Sequence, residues 1–384
     1  MRATLNLTHR CNLACRYCYA GKREQRDMSL ITAQRAVDFV LDITPEASDV
    51  SIGFTGGEPL LCFDLMKETI RYIRKREQRT GKSVALSVTS NGTLLTEPIL
   101  DFFRAKGVML SISIDGRANV HNLNRRYPDG RGTFSDVVRG LRLANGRLDN
   151  LQVNAVFGPD TVEYLLDSVS FFSQLGISAI HLDPDIRASY SKDIYPKLRT
   201  TYMRLADRYI RDYQEGRETG VNLIDNKIIV ILQGGYGSTD KCGMGETEWG
   251  FAPSGNIYPC ERLVGEDNGG PHCLGNVVAG LDMARRCSLL EKRGNHNEAC
   301  ESCGLQRYCM NWCGCINYHM TGHIDKVSQL LCESEKALIQ AAGHVLTTLS
   351  ESNNELFLDR FKKHAPEGAP AQTQRRQPVL ETIA

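Results

Sequence analysis

The sequence has no run of eighteen apolar residues, so no membrane span is expected. It also lacks a charge excess: 46 Lys and Arg stand against 45 Asp and Glu, a formal net charge of +1. That balance argues against a broad nucleic-acid or membrane-surface footprint and leaves room only for a local basic patch. The N-terminal segment MRATLNLTHRC has no apolar stretch of the secretory kind, and a cytoplasmic protein is expected. No internal repeat is present beyond an alternation of strand-like and helix-like segments. Cysteine is scarce through the middle of the chain, where Cys62 stands alone between Cys18 and Cys242.

What is present is a chain of 384 residues, 41% of them hydrophobic, enough for one large domain and a smaller one. The first two-thirds alternates short β-rich runs, near 3–7, 50–55, 84–89, 109–114, 151–156 and 179–182, with amphipathic helical patterns. Those helical patterns fall near 30–41, 63–75, 97–106, 134–145 and 161–175, and a longer one near 195–215. Helix-length crossovers imply a parallel sheet with helices on its outer face. Six such units are too few to close an eight-fold barrel, so a partial, TIM-like (β/α)6 barrel is expected over residues 1–220. A connecting helix is expected at 221–240. From about Lys241 the texture changes to Gly, Cys and Asn, a composition that buries little apolar surface and is naturally stabilised by bound metal. Residues 241–335 are therefore read as a small Cys-rich domain. A helical pattern starts at Gln329, 336–363 is read as a C-terminal helix, and the Pro-, Ala- and Gln-rich 364–384 as a disordered tail.

Fourteen cysteines in a reducing compartment point to metal ligands or buried thiols rather than disulfides. Cys11, Cys15 and Cys18 read C-x3-C-x2-C in a loop just after the first strand, at the strand end where ligands converge in barrel-like folds. Three thiolates on a short loop can wrap three corners of a [4Fe–4S] cluster and leave the fourth iron without a protein ligand. Structural zinc wants four ligands, and no fourth is obvious nearby. The second zone contains Cys242, Cys260, and then C-x2-C-x5-C-x3-C from Cys300 through Cys303 and Cys309 to Cys313, followed by Cys332. Alone, that zone is equally compatible with zinc ribbons.

C-x3-C-x-Tyr-C after a first strand resembles the radical S-adenosylmethionine (SAM) superfamily. In that family the open iron binds the amino and carboxylate groups of SAM, and reductive cleavage gives a 5′-deoxyadenosyl radical that abstracts a substrate hydrogen. Further matches come in order at successive strand ends. TGGEP, with Gly56, Gly57 and Glu58, corresponds to the segment that contacts the SAM amino group. Glycines there allow close backbone approach, and Glu58 can pair with an ammonium. TSNGTLL carries Ser90 and Asn91, and SISIDG carries Ser113 and Asp115, which the resemblance assigns to the SAM ribose and methionine. Arg125 in HNLNR is a partner for the SAM carboxylate, or an ordinary surface arginine. Tyr17 is expected to position adenine through its backbone, and Leu182 to pack on adenine or simply in the core.

The second cysteine zone resembles the SPASM extension behind many radical SAM domains, and all seven of its signature cysteines are present. The resemblance implies three [4Fe–4S] clusters, one binding SAM and two auxiliary. It assigns Cys300, Cys303, Cys309 and Cys332 to the second auxiliary cluster, and Cys242, Cys260 and Cys313 to the first. The additional cysteine that completes the first cluster in anaerobic sulfatase-maturating enzymes has no counterpart. Cys273, Cys287 or Cys315 fills that position, or one iron stays open for a substrate thiolate. Asp225, in VNLIDNKIIVILQGG, aligns near the proton-accepting Asp of those enzymes; alone it reads equally as a helix N-cap. Cys62 reads as core, and Tyr308 and Trp312 as shields for sulfur.

The expected function is a radical SAM/SPASM peptide maturase that cross-links or oxidises a residue of a ribosomal peptide. The alternatives are formylglycine formation in a sulfatase, dehydrogenation of a small molecule by the same clusters, and a non-enzymatic metal scaffold. Expected partners are a precursor peptide or protein and an electron donor such as flavodoxin or ferredoxin, without nucleic acid or membrane. The first strand starts near residue 3, which leaves no place for an N-terminal leader-binding domain. Leader recognition is therefore expected to use the barrel, the SPASM region or a separate leader-binding protein.

Overall fold

A computed structural model describes residues 1–21, 24–46, 48–149, 151–237, 240–293 and 297–364. The tail expected to be disordered, 364–384, lies outside these residues except for His364. The strands are β1 (Arg2–Asn6), β2 (Val50–Thr55), β3 (Val84–Ser90), β4 (Val108–Ser113), β5 (Leu151–Phe157), β6 (Ala179–Pro184), β7 (Gly220–Val221), β8 (Glu248–Phe251), β9 (Asn256–Tyr258), β10 (Gly275–Asn276) and β11 (Gly280–Leu281). The helices are α1 (Leu30–Ile43), α2 (Phe63–Thr80), α3 (Glu97–Lys106), α4 (Ala118–Asn124), α5 (Phe134–Ala144), α6 (Leu165–Gln174) and α7 (Ile194–Gln214). They continue as α8 (Asn222–Leu232), α9 (Met283–Arg293), α10 (Glu298–Glu301), α11 (Gly314–Thr321), α12 (Gln329–Glu351) and α13 (Glu355–Phe361). No described helix is long and apolar enough to cross a membrane.

The chain forms two compact units that do not follow the expected boundaries. The first contains Met1–Ile114, Ala118–Val153 and Cys242–Arg293. The second contains Asp115–Arg117, Asn154–Lys241 and the described residues from 297 onward. In the first unit β1 to β4 lie side by side in parallel, joined by helical crossovers. Alternation builds this sheet: Val50, Ile52 and Phe54 of β2 are buried, while Ser51, Gly53 and Thr55 are only half-buried. On α1, Ala33, Ala36, Val37, Val40 and Leu41 make the buried stripe. Ser29 caps that helix through the Thr32 amide at 3.0 Å.

The Cys-rich region contributes strands to this same sheet. β8 pairs in parallel with the other edge of β1, Arg2 opposite Glu248 and Leu5 opposite Phe251. β9, β10 and β11 extend it as an antiparallel meander. In the second unit β6 pairs in parallel with the short β7. Its core packs α12 against α7 and α8, with Leu198, Tyr202, Leu205, Ile228, Ile231, Ile339, Ala342 and Val345 buried.

Candidate functional site

The loop of Cys11, Cys15 and Cys18 is clamped on three sides by the other motif segments. The TGGEP segment grips it first: Gly57 N donates to Thr8 O at 2.7 Å, and Glu58 N to Arg10 O at 2.8 Å. The two glycines make this approach possible. Gly56 has φ +146°, and a Cβ there would lie 2.5 Å from Thr8 O; a Cβ on Gly57 would lie 2.2 Å from Arg10 O. The TSNGTLL segment holds the loop next, because Asn91 Nδ2 donates to Asn12 Oδ1 (2.8 Å) and Asn12 Nδ2 to Thr93 Oγ1 (2.9 Å). The HNLNR segment and the residue after it close the third side: Arg16 N donates to Asn124 O (2.9 Å) and Ala14 N to Arg126 O (2.6 Å). Arg125 is buried and stands 5.2 Å over the Tyr17 ring.

Glu58 is fully buried. Its Oε1 accepts from Leu60 N (3.0 Å) and Ser90 Oγ (2.8 Å), and its Oε2 from Asn91 N (2.8 Å). Burial pushes its carboxyl up to about 7, against the pull of those donors. The expected ammonium partner is thus occupied in joining two strand ends. Cys11 is also shielded, and burial pushes its thiol up to about 12, although the Leu13 amide pulls the other way. Such a thiol is neutral near pH 7 and becomes a thiolate by exchanging its proton for a metal. Three thiols on one clamped loop fit three irons of a cluster.

The remaining expected SAM contacts are spread over both units. Ser113 ends β4 and is half-buried. Asp115 belongs to the second unit, where its Oδ1 accepts from Val156 N (3.0 Å) and its carbonyl from Ser168 Oγ (3.0 Å). Leu182 is fully buried, with its amide bonded to Asn222 Oδ1 at 2.8 Å.

In the second unit Cys300, Cys303, Cys309 and Cys332 line one cavity of about 410 Å³ together with Lys336. The donor set suits an iron–sulfur cluster. Lys336 follows Cys332 by one turn of α12 and adds a positive charge to this wall. Below Cys309 lies a buried ion pair, Lys227 Nζ to Glu335 Oε2 at 2.5 Å. Lys227 also donates to Tyr308 O (3.1 Å), and Glu335 accepts from the Met310 amide, so the pair grips the backbone on both sides of Cys309. Burial works to lower the Lys227 pKa, but Glu335 and Tyr236 together raise it above the ordinary value and keep the amine charged. Tyr308 is buried, and Trp312 stacks edge-on against Tyr236 at 5.1 Å. The Trp312 Nε1 donor is buried without an acceptor among the described residues.

Cys242 and Cys260 belong to the first unit, Cys313 and Cys315 to the second. Cys273 packs with Ala252, Tyr258 and Val264, and its thiol donates to Gly275 O. Cys287 is exposed on α9. Cys62 is buried at the start of α2, 3.6 Å from Arg10 Nη2. Asp225 does not cap α8, whose cap position is Val221; it sits in the first turn. Both of its oxygens are engaged: Tyr209 donates to Oδ1 (2.6 Å) and Arg360 to Oδ2 (2.8 Å). Burial raises the Asp225 pKa, and Arg360 opposes that shift.

Sequence reasoning missed Asn12, Lys227, Glu335 and Lys336, polar residues with no motif of their own. It also missed Glu248 and Glu261, whose carboxylates and the Cys260 thiol lie within 4.8 Å of one another. Spacing from the cysteines offered a signal only for Lys336.

Residues 5–172 match the family described as the radical SAM superfamily. Those residues form a radical SAM domain. An uncharacterised protein of Methanocaldococcus jannaschii is 29% identical over 179 residues, which is 47% of this chain and 60% of that protein. A cysteine-type anaerobic sulfatase-maturating enzyme of Clostridium novyi is 23% identical over 317 residues, covering 79% of this enzyme and 84% of the relative. Among solved structures, native anSMEcpe with bound AdoMet and Cp18Cys peptide superposes with a TM-score of 0.78 at 20% identity, over 92% of this enzyme and 99% of that chain. The enzyme therefore has the radical SAM α/β fold with an open sheet, and it is related to the anaerobic sulfatase maturases.

Proposed function

We propose that the enzyme cleaves SAM reductively and removes hydrogen from a residue of a peptide substrate, leaving a cross-link or an oxidised side chain. The observation that carries this reading is the Cys11/Cys15/Cys18 loop clamped by three motif segments. When bound, its [4Fe–4S] cluster supplies the electron that splits SAM and releases the 5′-deoxyadenosyl radical. The chain's own residues hold the geometry. Gly56 and Gly57 bring the TGGEP backbone against the cysteine loop, and Glu58 ties that segment to the end of β3. Arg125, buried against Tyr17, supplies a cation for the SAM carboxylate.

Cys300, Cys303, Cys309 and Cys332 would hold one of two auxiliary clusters, which would supply an acceptor for the electron left on the substrate. A small iron–sulfur or flavin electron donor reduces the enzyme, and the reaction takes place in the cytoplasm. The relative solved with a bound peptide supports a peptide substrate. Formylglycine formation is the second reading, favoured by the likeness to sulfatase maturases over most of the chain.

An anaerobic assay of loaded enzyme with SAM and a strong reductant tests the core of this proposal. It should yield 5′-deoxyadenosine, and no yield from fully loaded enzyme would sink it. Mass spectrometry of a candidate peptide separates the readings: a cross-link removes two hydrogens and consumes the thiol, whereas formylglycine reacts as an aldehyde.

A further inference from the structure

The segment after Cys260 carries a carboxylate that the proposed function does not use. Asp267 has none of its side chain exposed, and its backbone is left-handed, at φ +52°. A buried charge is costly unless it is paired, and a left-handed backbone is unfavourable in a residue with a Cβ. Such features persist only where the surroundings hold them. Two groups of partners meet at this carboxylate, all within the first unit. From the β8–β9 hairpin, Ser254 donates from N (3.0 Å) and Oγ (2.6 Å), Asn256 from Nδ2 (3.0 Å) and Tyr258 from its hydroxyl (3.5 Å). From the other side, Arg26 Nη1 donates to Oδ2 (3.3 Å) and to the Asp267 carbonyl (3.1 Å). The buried His9 brings Nε2 to 3.7 Å from Oδ2.

His9 and Arg26 form the neck of the loop that carries Cys11, Cys15 and Cys18. They bracket the three cysteines in sequence, and His9 N donates to Arg26 O at 3.0 Å. The segment before Asp267 also touches the returning arm of that loop, because a Cβ on Gly21 would lie 2.7 Å from the Gly265 carbonyl. Asp267 therefore grips the loop on a fourth side, and it does so with a charge. The hairpin held by its other oxygen contacts runs through Tyr258 to Cys260. We propose that Asp267 is a positioning residue, which fixes the cysteine loop against this hairpin and so governs how tightly SAM is held at the open iron. The three motif segments keep the thiols together; the Asp267–Arg26 tie keeps their loop facing one way.

This inference rests on the SAM-binding role proposed for that loop, and the experiment separates the two. Asp267→Asn keeps the size of the side chain and its tolerance of a left-handed backbone, and removes only the charge that faces Arg26. Arg26→Gln removes the charge from the other, half-exposed side. Wild type, both single variants and the double variant are reconstituted anaerobically and compared at equal iron content per chain. Affinity for SAM is measured by calorimetry on the unreduced enzyme, together with the SAM-dependent change in the EPR spectrum of the reduced enzyme and the rate of 5′-deoxyadenosine formation. Each single variant should bind SAM about tenfold more weakly and show an altered SAM-dependent spectrum. The double variant should be no worse than the weaker single one, because both changes cut the same tie. A merely structural role would lower iron loading and leave affinity unchanged in the molecules that are loaded. Single variants with wild-type affinity and spectrum at full iron would therefore overturn the proposal, and so would losses that multiply in the double variant. Arg26→Gln decides the matter even if Asp267→Asn fails to fold. Wild type that binds SAM but yields no 5′-deoxyadenosine would instead count against the proposed function, with the affinity comparison still deciding the role of Asp267.

Discussion

At Gly57 one methyl group decides whether two loops can meet. A Cβ would fall 2.2 Å from Arg10 O, next to Cys11, and the obstacle is backbone that cannot rotate aside. Gly57→Ala should cost about 1–3 kcal/mol of stability, and it should displace the cysteine loop so that the variant takes up less iron. Iron content after anaerobic reconstitution measures this, and full loading would refute it. Glu58 makes a prediction about pH. Its buried carboxyl holds a proton up to about 7, whereas an unperturbed one releases it near 4.5. The folded state therefore binds more protons than the unfolded state in that window, and stability falls as pH rises from about 4.5 to about 7, then levels off. Glu58→Gln should remove the slope, measured as thermal midpoint against pH. It should also be less stable by about 1–3 kcal/mol, because an amide cannot accept from all three donors. The motif marked Gly56 and Gly57 for a close backbone approach and Glu58 for an ammonium, but not that the approach is to Thr8 and Arg10 or that Glu58 is taken up by Leu60, Ser90 and Asn91. A motif gives residue types at strand ends, whereas the direction of each side chain depends on which loop lies against it.

Single helices in the second unit carry several of these ties at once. One turn of α8 presents Asp225 toward Tyr209 and Arg360, and Lys227 toward Glu335 and Tyr308. Asp225 thereby joins α7, α8 and α13, and Gly220 on β7 leaves the room, since a Cβ there would lie 2.6 Å from Arg360 Nη2. Asp225→Asn should lose about 1–3 kcal/mol, because it weakens the charged hydrogen bonds from Tyr209 and Arg360, although the half-buried Arg360 keeps Glu218 as a partner. SAM cleavage per folded molecule should persist. A variant with wild-type denaturant stability but no modified peptide would instead mark Asp225 as a proton acceptor. The helical pattern of this segment was legible in its apolar run. The cap was not, because Asp before such a run is a common start signal, yet here the chain enters α8 straight from β7 at Val221. For α12 the helical pattern from Gln329 was legible, but the pairing of Glu335 with Lys227 joins residues 108 positions apart and leaves no local trace.

Across the whole chain the parallel strands and the cysteine sets were legible because periodicity and spacing are local properties. The membership of the compact units was not. β8 to β11 are two to four residues long and rich in glycine, too short for an alternation signal, so the segment from Cys242 read as a separate domain. In the structure it belongs to the first unit, where β8 covers the edge of β1 and Trp249 and Phe251 are buried beside Phe39. Cutting the chain at the sequence-based boundary would therefore damage the unit it was meant to isolate. A fragment of residues 1–241 loses four strands of that sheet, bares the backbone edge of β1 and uncovers the apolar side chains that β8 packs against. It should express as aggregate, or as a species that proteases cut readily, while the full chain resists. A soluble 1–241 fragment with the full chain's protease resistance through its first 114 residues would show that β1 needs no partner on that side. The expected failure would instead mean that the Cys-rich segment completes the sheet whose loops carry Cys11, Cys15 and Cys18, whether or not metal is bound.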